Sequence, residues 1–133
     1  MAILGIGTDI VEVARIEKLL QDKRKEFLAR VFTPTEIDYC RGKARPEIHF
    51  AARFAAKEAF MKAIGTGWSQ GVGFSQIGVC NNEDGKPTLE ITGAAKVVLD
   101  GLGPSFLWLS MSHTREYATA TVVIEKQVVG NRL

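Results

Sequence analysis

The segment that most restricts how this chain can fold is FAARFAAKEAFMKAIGTG, residues 50–67. The spacing predicts one helix that ends at a glycine turn and carries Phe50, Phe54 and Met61 on one stripe. The opposite side consists of small residues suited to close packing, namely Ala52, Ala55, Ala56, Ala59 and Ala63. The charged residues border the apolar stripe, whereas a surface helix would collect them on a separate solvent face. We therefore expect this helix to be central, with its charges facing a cleft.

The charges of this helix predict an anion site. Arg53 and Lys57 are like charges one turn apart, which slightly destabilises a helix, so an anion should offset them. Glu58 and Lys62 form either an ordinary surface salt bridge or a metal-ligating carboxylate beside a phosphate-binding lysine. Three cations and one carboxylate on an otherwise apolar helix favour the second interpretation. The Gly65-Thr66-Gly67 turn is either a plain C-cap or a place where backbone approaches a ligand.

Bulk composition limits the class of protein. With 133 residues, 46% hydrophobic and 24% charged, the chain is expected to be a single domain over 1–133. It has no apolar run of about 18 residues and no basic leader before Asp9, so we expect a cytoplasmic protein without a membrane anchor. Cys40 and Cys80 have no metal-type spacing, and no function is assigned to them.

The net charge of +2 is too small to indicate a nucleic-acid partner, but its distribution is informative. One basic stretch lies between Arg15 and Arg30, and a second lies between Arg41 and Lys62. Each is either a solvated face or a contact surface. Two such clusters in the first half of the chain suggest two anionic partners, one a small molecule and one a protein.

The order of predicted elements is typical of an α+β fold, a mostly antiparallel sheet packed against a long central helix. The first half predicts a short buried strand over 3–9 with glycines where another backbone comes close, helical spacing over 13–30 broken near Asp22, a helix from the capping box Thr33-Pro34-Thr35-Glu36 to about Arg41, and the central helix over 47–64. The second half predicts a strand over 74–80, a hairpin turn over 81–87, a strand over 88–91, a helix over 92–102, strands over 106–112 and 117–125 joined by a turn, and a frayed tail after Lys126.

Two carboxylates from distant elements are a common way to hold Mg²⁺, and Asp9 and Glu58 fit this description. Asp9 is equally suited to be a helix cap or a turn residue. Phosphoryl transfer also needs fixed positive charge, which the same part of the chain supplies at Arg45, Arg53, Lys57 and Lys62. His113, at the tip of the second predicted hairpin, is a proton carrier, a phosphate contact or a polar turn residue.

These segments resemble a known family. GIGTDIVEVARIEK at 5–18 and the central helix at 50–67 are similar to the two signature segments of the holo-acyl-carrier-protein synthases, the short type of 4′-phosphopantetheinyl transferase. DGKPTLEI at 84–91 and SHTREYATATVVIE at 112–125 resemble the same family, so the similarity spans nearly the whole chain. The resemblance implies the 4′-phosphopantetheinyl transferase-like fold and Mg²⁺-dependent transfer of phosphopantetheine from coenzyme A to a serine of apo-acyl-carrier protein, in fatty acid biosynthesis.

The resemblance also implies roles for particular residues. Asp9 and Glu58 match the metal ligands, and Lys62 matches a lysine that stabilises or protonates the leaving phosphate. The positions matching coenzyme contacts are Arg45, Arg53, Lys57, Lys62, Gly65, Thr66, Gly67, His113 and Thr114. The positions matching the carrier-docking surface are Arg15, Arg24, Phe27 and Arg30. The group that takes the serine proton stays open between a water on the metal, Asp9 and Glu58, and the family's short members imply a homotrimer.

Two rival functions use the same residues. One is a Mg²⁺-dependent nucleotide or diphosphate hydrolase. The other is a non-enzymatic module that senses coenzyme A or a nucleotide and binds a partner through its basic helix.

Overall fold

The structure, a computed structural model, describes residues 2–67 and 69–128; Trp68 and the part of the predicted frayed tail from residue 129 onward lie outside this range. The elements follow in the order β1 (Ile3–Glu12), α1 (Val13–Asp22), α2 (Arg24–Val31), α3 (Pro34–Arg41), α4 (Pro46–Ile64), β2 (Ile77–Asn81), β3 (Pro87–Ile91), α5 (Gly93–Gly101), β4 (Ser105–His113) and β5 (Tyr117–Lys126). This is the α+β order that the sequence predicts. No helix in the described part of the chain combines the length and apolar character needed to cross a bilayer.

The strands form two antiparallel sheets, where the sequence suggested one. β1, β5 and β4 lie side by side with β5 in the centre, while β2 and β3 form a separate hairpin. The N-terminal strand thus pairs with the C-terminal one, with Asp9 opposite Ala120. β5 alternates buried and exposed residues, and its buried side chains (Ala118, Ala120, Val122, Ile124) belong to the same core as α4. The central helix therefore packs against one face of the three-stranded sheet.

Glycines on β1 allow this sheet to approach α4 closely. A Cβ built at Gly7 would lie 1.9 Å from the carbonyl oxygen of Ala59, and one at Gly5 would lie 2.1 Å from that of Ala63. Both distances are far below van der Waals contact, so no larger residue fits without moving the strand. The predictions of glycine at a close backbone approach and of a close-packed alanine face are confirmed. The prediction of a buried strand is wrong, because only one face of β1 meets α4 and Ile3 and Ile6 are exposed on the strand. This approach places the end of β1 beside the charged residues of the helix.

The first strand of the predicted hairpin starts later than expected. Residues Phe74–Gln76 form a single 3₁₀ turn, and the strand begins only at Ile77. The amino group of Lys57 contacts both ends of this turn, since it donates to the carbonyl oxygens of Phe74 at 3.1 Å and Ile77 at 2.7 Å. In a continuous strand, carbonyls three residues apart would point to opposite sides, whereas a tight turn can direct both at one donor.

The capping box at the start of α3 forms as predicted, and its Glu36 also contacts two other elements. The hydroxyl of Thr33 accepts from the backbone N–H of Glu36, and the Glu36 carboxylate accepts from the N–H of Thr33 at 2.8 Å. The same carboxylate accepts from the N–H of Val79 at 2.7 Å and pairs with Lys57 at 2.7 Å. Glu36 therefore joins α3, α4 and β2 through one buried group.

Candidate active site

Three charged side chains meet where β1 passes α4. Lys62 donates from Nζ to Oδ1 of Asp9 and to the carbonyl oxygen of Thr8, both at 3.0 Å. Glu58 lies one helical turn before Lys62 and is half-buried. Because Lys62 pairs with Asp9 rather than with Glu58, the interpretation of Glu58 and Lys62 as a simple helix-surface pair does not hold. The close approach of β1 brings all three groups together.

The charge balance of this cluster suits a cation. Burial and the nearby charge of Asp9 raise the pKa of Glu58 above its ordinary value, while Lys62 and Arg15 partly counter the shift. Two nearby carboxylates repel each other, so binding a cation between them is favourable. The described residues contain no group of three or more His, Cys, Asp or Glu side chains placed for a metal. Mg²⁺ does not require one, since it often binds through one or two carboxylates and completes its shell with water and phosphate.

A groove of about 640 Å³ opens beside Glu58. Its apolar wall comprises Leu19, Phe27, Val31, Phe54 and Phe74, and its charged lining comprises Arg15, Lys23, Glu26, Arg30 and Glu58. The guanidinium of Arg15 lies 5.7 Å from the centroid of the Phe54 ring. Of the residues predicted for carrier docking, Arg15, Phe27 and Arg30 thus line one groove, whereas Arg24 is not among its lining residues.

A second, smaller cavity of about 210 Å³ lies where α3, α4, β4 and the β2–β3 turn meet. Its lining includes Tyr39, His49, Arg53, Asn81 and His113. Arg53 is only 2% exposed, and its guanidinium stacks 4.1 Å from the centroid of Tyr39. Its Nη2 donates to Oδ1 of Asn81 at 3.1 Å, but its Nε has no hydrogen-bond partner within the described ranges. A buried guanidinium with a free donor suits an anion.

Comparison with known proteins assigns the chain to a family. The family model described as the 4′-phosphopantetheinyl transferase superfamily matches residues 5–122. This chain belongs to that superfamily. A holo-[acyl-carrier-protein] synthase of Koribacter versatilis is 50% identical over 92% of this chain and 98% of that protein.

Solved structures of the superfamily agree with the fold. The crystal structure of the Neisseria meningitidis holo-[acyl-carrier-protein] synthase is similar with a TM-score of 0.85 and 41% identity, over 94% of this chain and 100% of that one. A Bacillus anthracis holo-(acyl-carrier-protein) synthase in complex with CoA (3′,5′-ADP) is similar with a TM-score of 0.77 and 39% identity, over 94% of this chain and 98% of that one. The expected 4′-phosphopantetheinyl transferase-like fold is confirmed.

The structure corrects the predicted location of the Lys57 side chain. We predicted that it faces a cleft and contacts the coenzyme, but its side chain is fully buried and its three donors reach Glu36, Phe74 and Ile77. Burial lowers the pKa of Lys57, and the carboxylate of Glu36 opposes that shift. The anion that offsets Lys57 is therefore an internal carboxylate, and this lysine joins α4 to α3 and to the segment that leads into β2.

The remaining predicted coenzyme residues are spread over several places. Gly65 is the C-cap of α4 with φ of 77°, a left-handed conformation that favours glycine, so the plain C-cap interpretation describes it. Arg45 precedes α4 and pairs with Glu47 at 3.2 Å, and it lines a third cavity, beside Arg115. Thr114 accepts from two backbone N–H groups and shapes the turn between β4 and β5. Among the predicted coenzyme residues in the described part of the chain, Arg53 and His113 line the same cavity.

Two residues of importance escaped the sequence interpretation. The sequence pattern predicts Glu36 only as a capping residue. The feature that indicates a second role is that this glutamate precedes a helix whose lysines have no evident partner in the sequence. His49 was given no role, although it lies one turn before Arg53 on α4. The pKa of Cys40, to which no function was assigned, is raised to about 12 by burial, so this thiol stays protonated and unreactive at neutral pH.

Proposed function

We propose that this protein transfers 4′-phosphopantetheine from coenzyme A to a serine hydroxyl of apo-acyl-carrier protein, which yields holo-carrier and adenosine 3′,5′-bisphosphate. The observation that carries the proposal is the cluster of Asp9, Glu58 and Lys62, in which Glu58 also lines a basic, aromatic groove. The superfamily match and the 50% identity to a holo-[acyl-carrier-protein] synthase support it.

Asp9 and Glu58 are the residues proposed to hold Mg²⁺. Their fit is supported by the raised pKa of Glu58, which reflects first the burial of this carboxyl and then the nearby charge of Asp9, partly countered by Lys62 and Arg15. Bound there, Mg²⁺ would supply positive charge to the oxygens of the coenzyme diphosphate. Carboxylate oxygens are the ligands this ion prefers.

The protein's own groups then act on the diphosphate. The serine oxygen attacks the phosphorus next to pantetheine, the bond from that phosphorus to the bridging oxygen breaks, and the electron pair leaves with adenosine 3′,5′-bisphosphate. Lys62 is proposed to stabilise or protonate this leaving phosphate, and its side chain is 53% exposed and so accessible to it. The serine proton passes to Asp9, to Glu58 or to a water.

The second cavity is proposed to hold the nucleotide end of coenzyme A. Arg53, with its free Nε, supplies the positive charge that a phosphate requires, and His113 adds a second hydrogen-bonding group in the same cavity. The Gly65-Thr66-Gly67 turn, Arg45 and Thr114 stay proposed contacts, and they lie outside this cavity. Lys57 is excluded from the set because its donors are used internally.

The groove beside Glu58 is proposed to receive the acyl-carrier protein. Arg15 and Arg30 present positive charge to an acidic partner, and Phe27 offers an apolar contact in the same groove. Arg24 is proposed to act from outside the groove by electrostatic attraction. The working compartment is proposed to be the cytoplasm, and the carrier that of fatty acid biosynthesis.

The proposed assembly is a homotrimer. Ile6, Ile10 and Trp108 are 65%, 63% and 48% exposed on the sheet face turned away from α4, an apolar surface that suits a partner copy. Arg53 and Glu58 lie about 140° apart around the helix axis, so they face different sides of one protomer. Coenzyme A held between neighbouring copies could reach both. Native mass spectrometry tests this, and a mass other than three chains contradicts it.

One incubation tests the proposed activity against its rivals. The protein is mixed with coenzyme A, Mg²⁺ and apo-acyl-carrier protein, and the carrier is weighed by mass spectrometry. The expected result is a carrier heavier by one phosphopantetheine, together with adenosine 3′,5′-bisphosphate. Nucleotide breakdown without any change in the carrier would indicate a hydrolase, and binding without turnover would indicate a sensor.

A further inference from the structure

His49 occupies the nucleotide cavity without a role in the function proposed above. It lies on α4 one turn before Arg53, which places both side chains on the same side of the helix. Its ring centroid lies 5.7 Å from that of His113 on β4 and 6.1 Å from that of Tyr39 on α3. His49 is therefore at the meeting point of three elements that line the cavity.

Cationic groups lie in or beside this cavity, and none of the described residues that line it is a carboxylate. Lys43 lies 4.4 Å from the centroid of the Tyr39 ring, and the guanidinium of Arg53 lies 4.1 Å from the same centroid. Arg53 forms no ion pair within the described residues, and its Nε is unpartnered. The carboxylate of Glu47, which acts on His49, already pairs with Arg45 at 3.2 Å.

We propose that His49 is a further binding residue for the 3′-phosphate monoester of coenzyme A, and that it takes up a proton when this phosphate binds. The inference rests on the proposed function, in which the cavity holds the nucleotide end. It adds a residue that makes binding depend on pH and that favours coenzyme A over dephospho-coenzyme A, which lacks the monoester.

The charges around His49 support proton uptake. Burial is the largest cause that lowers the pKa of His49 below its ordinary value of 6.5, so the imidazole is neutral at pH 7 in the free cavity. The charged groups that act on it are Arg53 and Glu47 on α4, Lys43 ahead of α4, and His113 on β4, and all except Glu47 lower the pKa further. A bound phosphate dianion acts in the opposite direction to these cations and raises the pKa of His49. Affinity for the phosphate therefore falls as pH rises.

Isothermal titration calorimetry without carrier tests the inference, since binding can be measured when no transfer is possible. Coenzyme A and dephospho-coenzyme A are titrated into wild type and His49→Gln between about pH 6.5 and 8, above the second phosphate pKa of about 6. Two buffers of different ionisation enthalpy report the protons taken up. For coenzyme A, His49→Gln should reduce proton uptake and weaken binding about tenfold at the lower pH, the loss expected for one hydrogen bond to a charged group. Dephospho-coenzyme A should bind both proteins equally.

His113→Gln separates the two imidazoles, and His49→Asn repeats the test if the longer amide disturbs Tyr39. If proton uptake falls only in His113→Gln, or if both ligands lose affinity equally in the His49 variants, the inference is overturned. Its failure is distinguishable from that of the proposed function. Wild type that modifies the carrier while the His49 variants bind coenzyme A normally contradicts only the role of His49, whereas wild type that never modifies the carrier contradicts the transferase activity.

Discussion

The amino group of Lys57 lies 2.7 Å from Oε1 of Glu36, and neither side chain has any exposed surface. Five residues further along the same helix, Lys62 lies 3.0 Å from Oδ1 of Asp9, but its side chain is 53% exposed. Two lysines on one helix thus form two ion pairs of different character. The first joins elements of the fold, and the second stands at the site where we place the chemistry.

Replacing Lys57 by methionine should lower the free energy of unfolding by about 3 to 5 kcal/mol, because the change leaves Glu36 charged and buried without its partner. It also removes the donor to the carbonyl oxygens of Phe74 and Ile77. Urea denaturation measures the loss. Combining Lys57→Met with Glu36→Gln should restore part of the stability, and a single variant within about 1 kcal/mol of wild type would show that the buried pair is unimportant.

Replacing Lys62 by methionine should hardly change stability but should strongly lower the rate of transfer. An exposed ion pair contributes at most about 1 kcal/mol, so the urea midpoint should hardly move. If Lys62 stabilises the leaving phosphate, kcat should fall at least about a hundredfold, the loss seen when one charge-stabilising group is removed. Steady-state transfer kinetics measure this. Unchanged kcat in a folded variant argues against the role.

Replacing Glu58 by glutamine should abolish Mg²⁺-dependent transfer, since the change removes a proposed ligand charge at nearly constant size. It should also raise the melting temperature of the metal-free protein at pH 7. The pKa of Glu58 is raised in the fold, so the folded state holds this proton more strongly than the unfolded one, and ionisation of the carboxyl at neutral pH is destabilising. Calorimetric scans with and without Mg²⁺ check both effects. Persistent Mg²⁺-dependent transfer would contradict the assignment.

Replacing Arg15 by glutamate should raise the KM for the acyl-carrier protein more than the KM for coenzyme A. Arg15 lines the groove beside Glu58, and reversing its charge removes attraction to an acidic partner. The difference from wild type should shrink as salt is added, because screening weakens both interactions. Initial rates at varied carrier and at varied coenzyme A separate the two constants. Equal changes in both would contradict a docking role.

Replacing Gly7 by alanine should destabilise the protein by about 3 kcal/mol or more, because the new Cβ would overlap the backbone of α4 and force β1 away. Since Asp9 lies on the same strand, transfer should fall as well. Gly42→Ala is the matched control, as Gly42 has φ of −79° and a Cβ there meets its nearest atom at 3.7 Å. Thermal unfolding of the two variants tests the prediction, which fails if they are equally stable.

The sequence by itself determined the local elements and the two signature segments. The capping box at Thr33, the break near Asp22 and the C-cap at Gly65 appear where predicted, because helices and their ends depend on bonds between residues three to five positions apart. The pairing of Asp9 with Lys62 agrees with the predicted cluster. The glycines of β1 indicate in the sequence that this strand can approach another backbone closely, and in the structure that backbone is α4.

Only the tertiary structure decided which side chain meets which. Helical periodicity placed Arg53 and Lys57 beside one apolar stripe, yet Lys57 turns inward to Glu36 while Arg53 reaches the cavity with His49. Periodicity describes a helix face but does not say what covers it, because the covering residues come from elements far away in the chain. The same reason explains why neither the split into two sheets nor the double task of Glu36 could be predicted from the sequence.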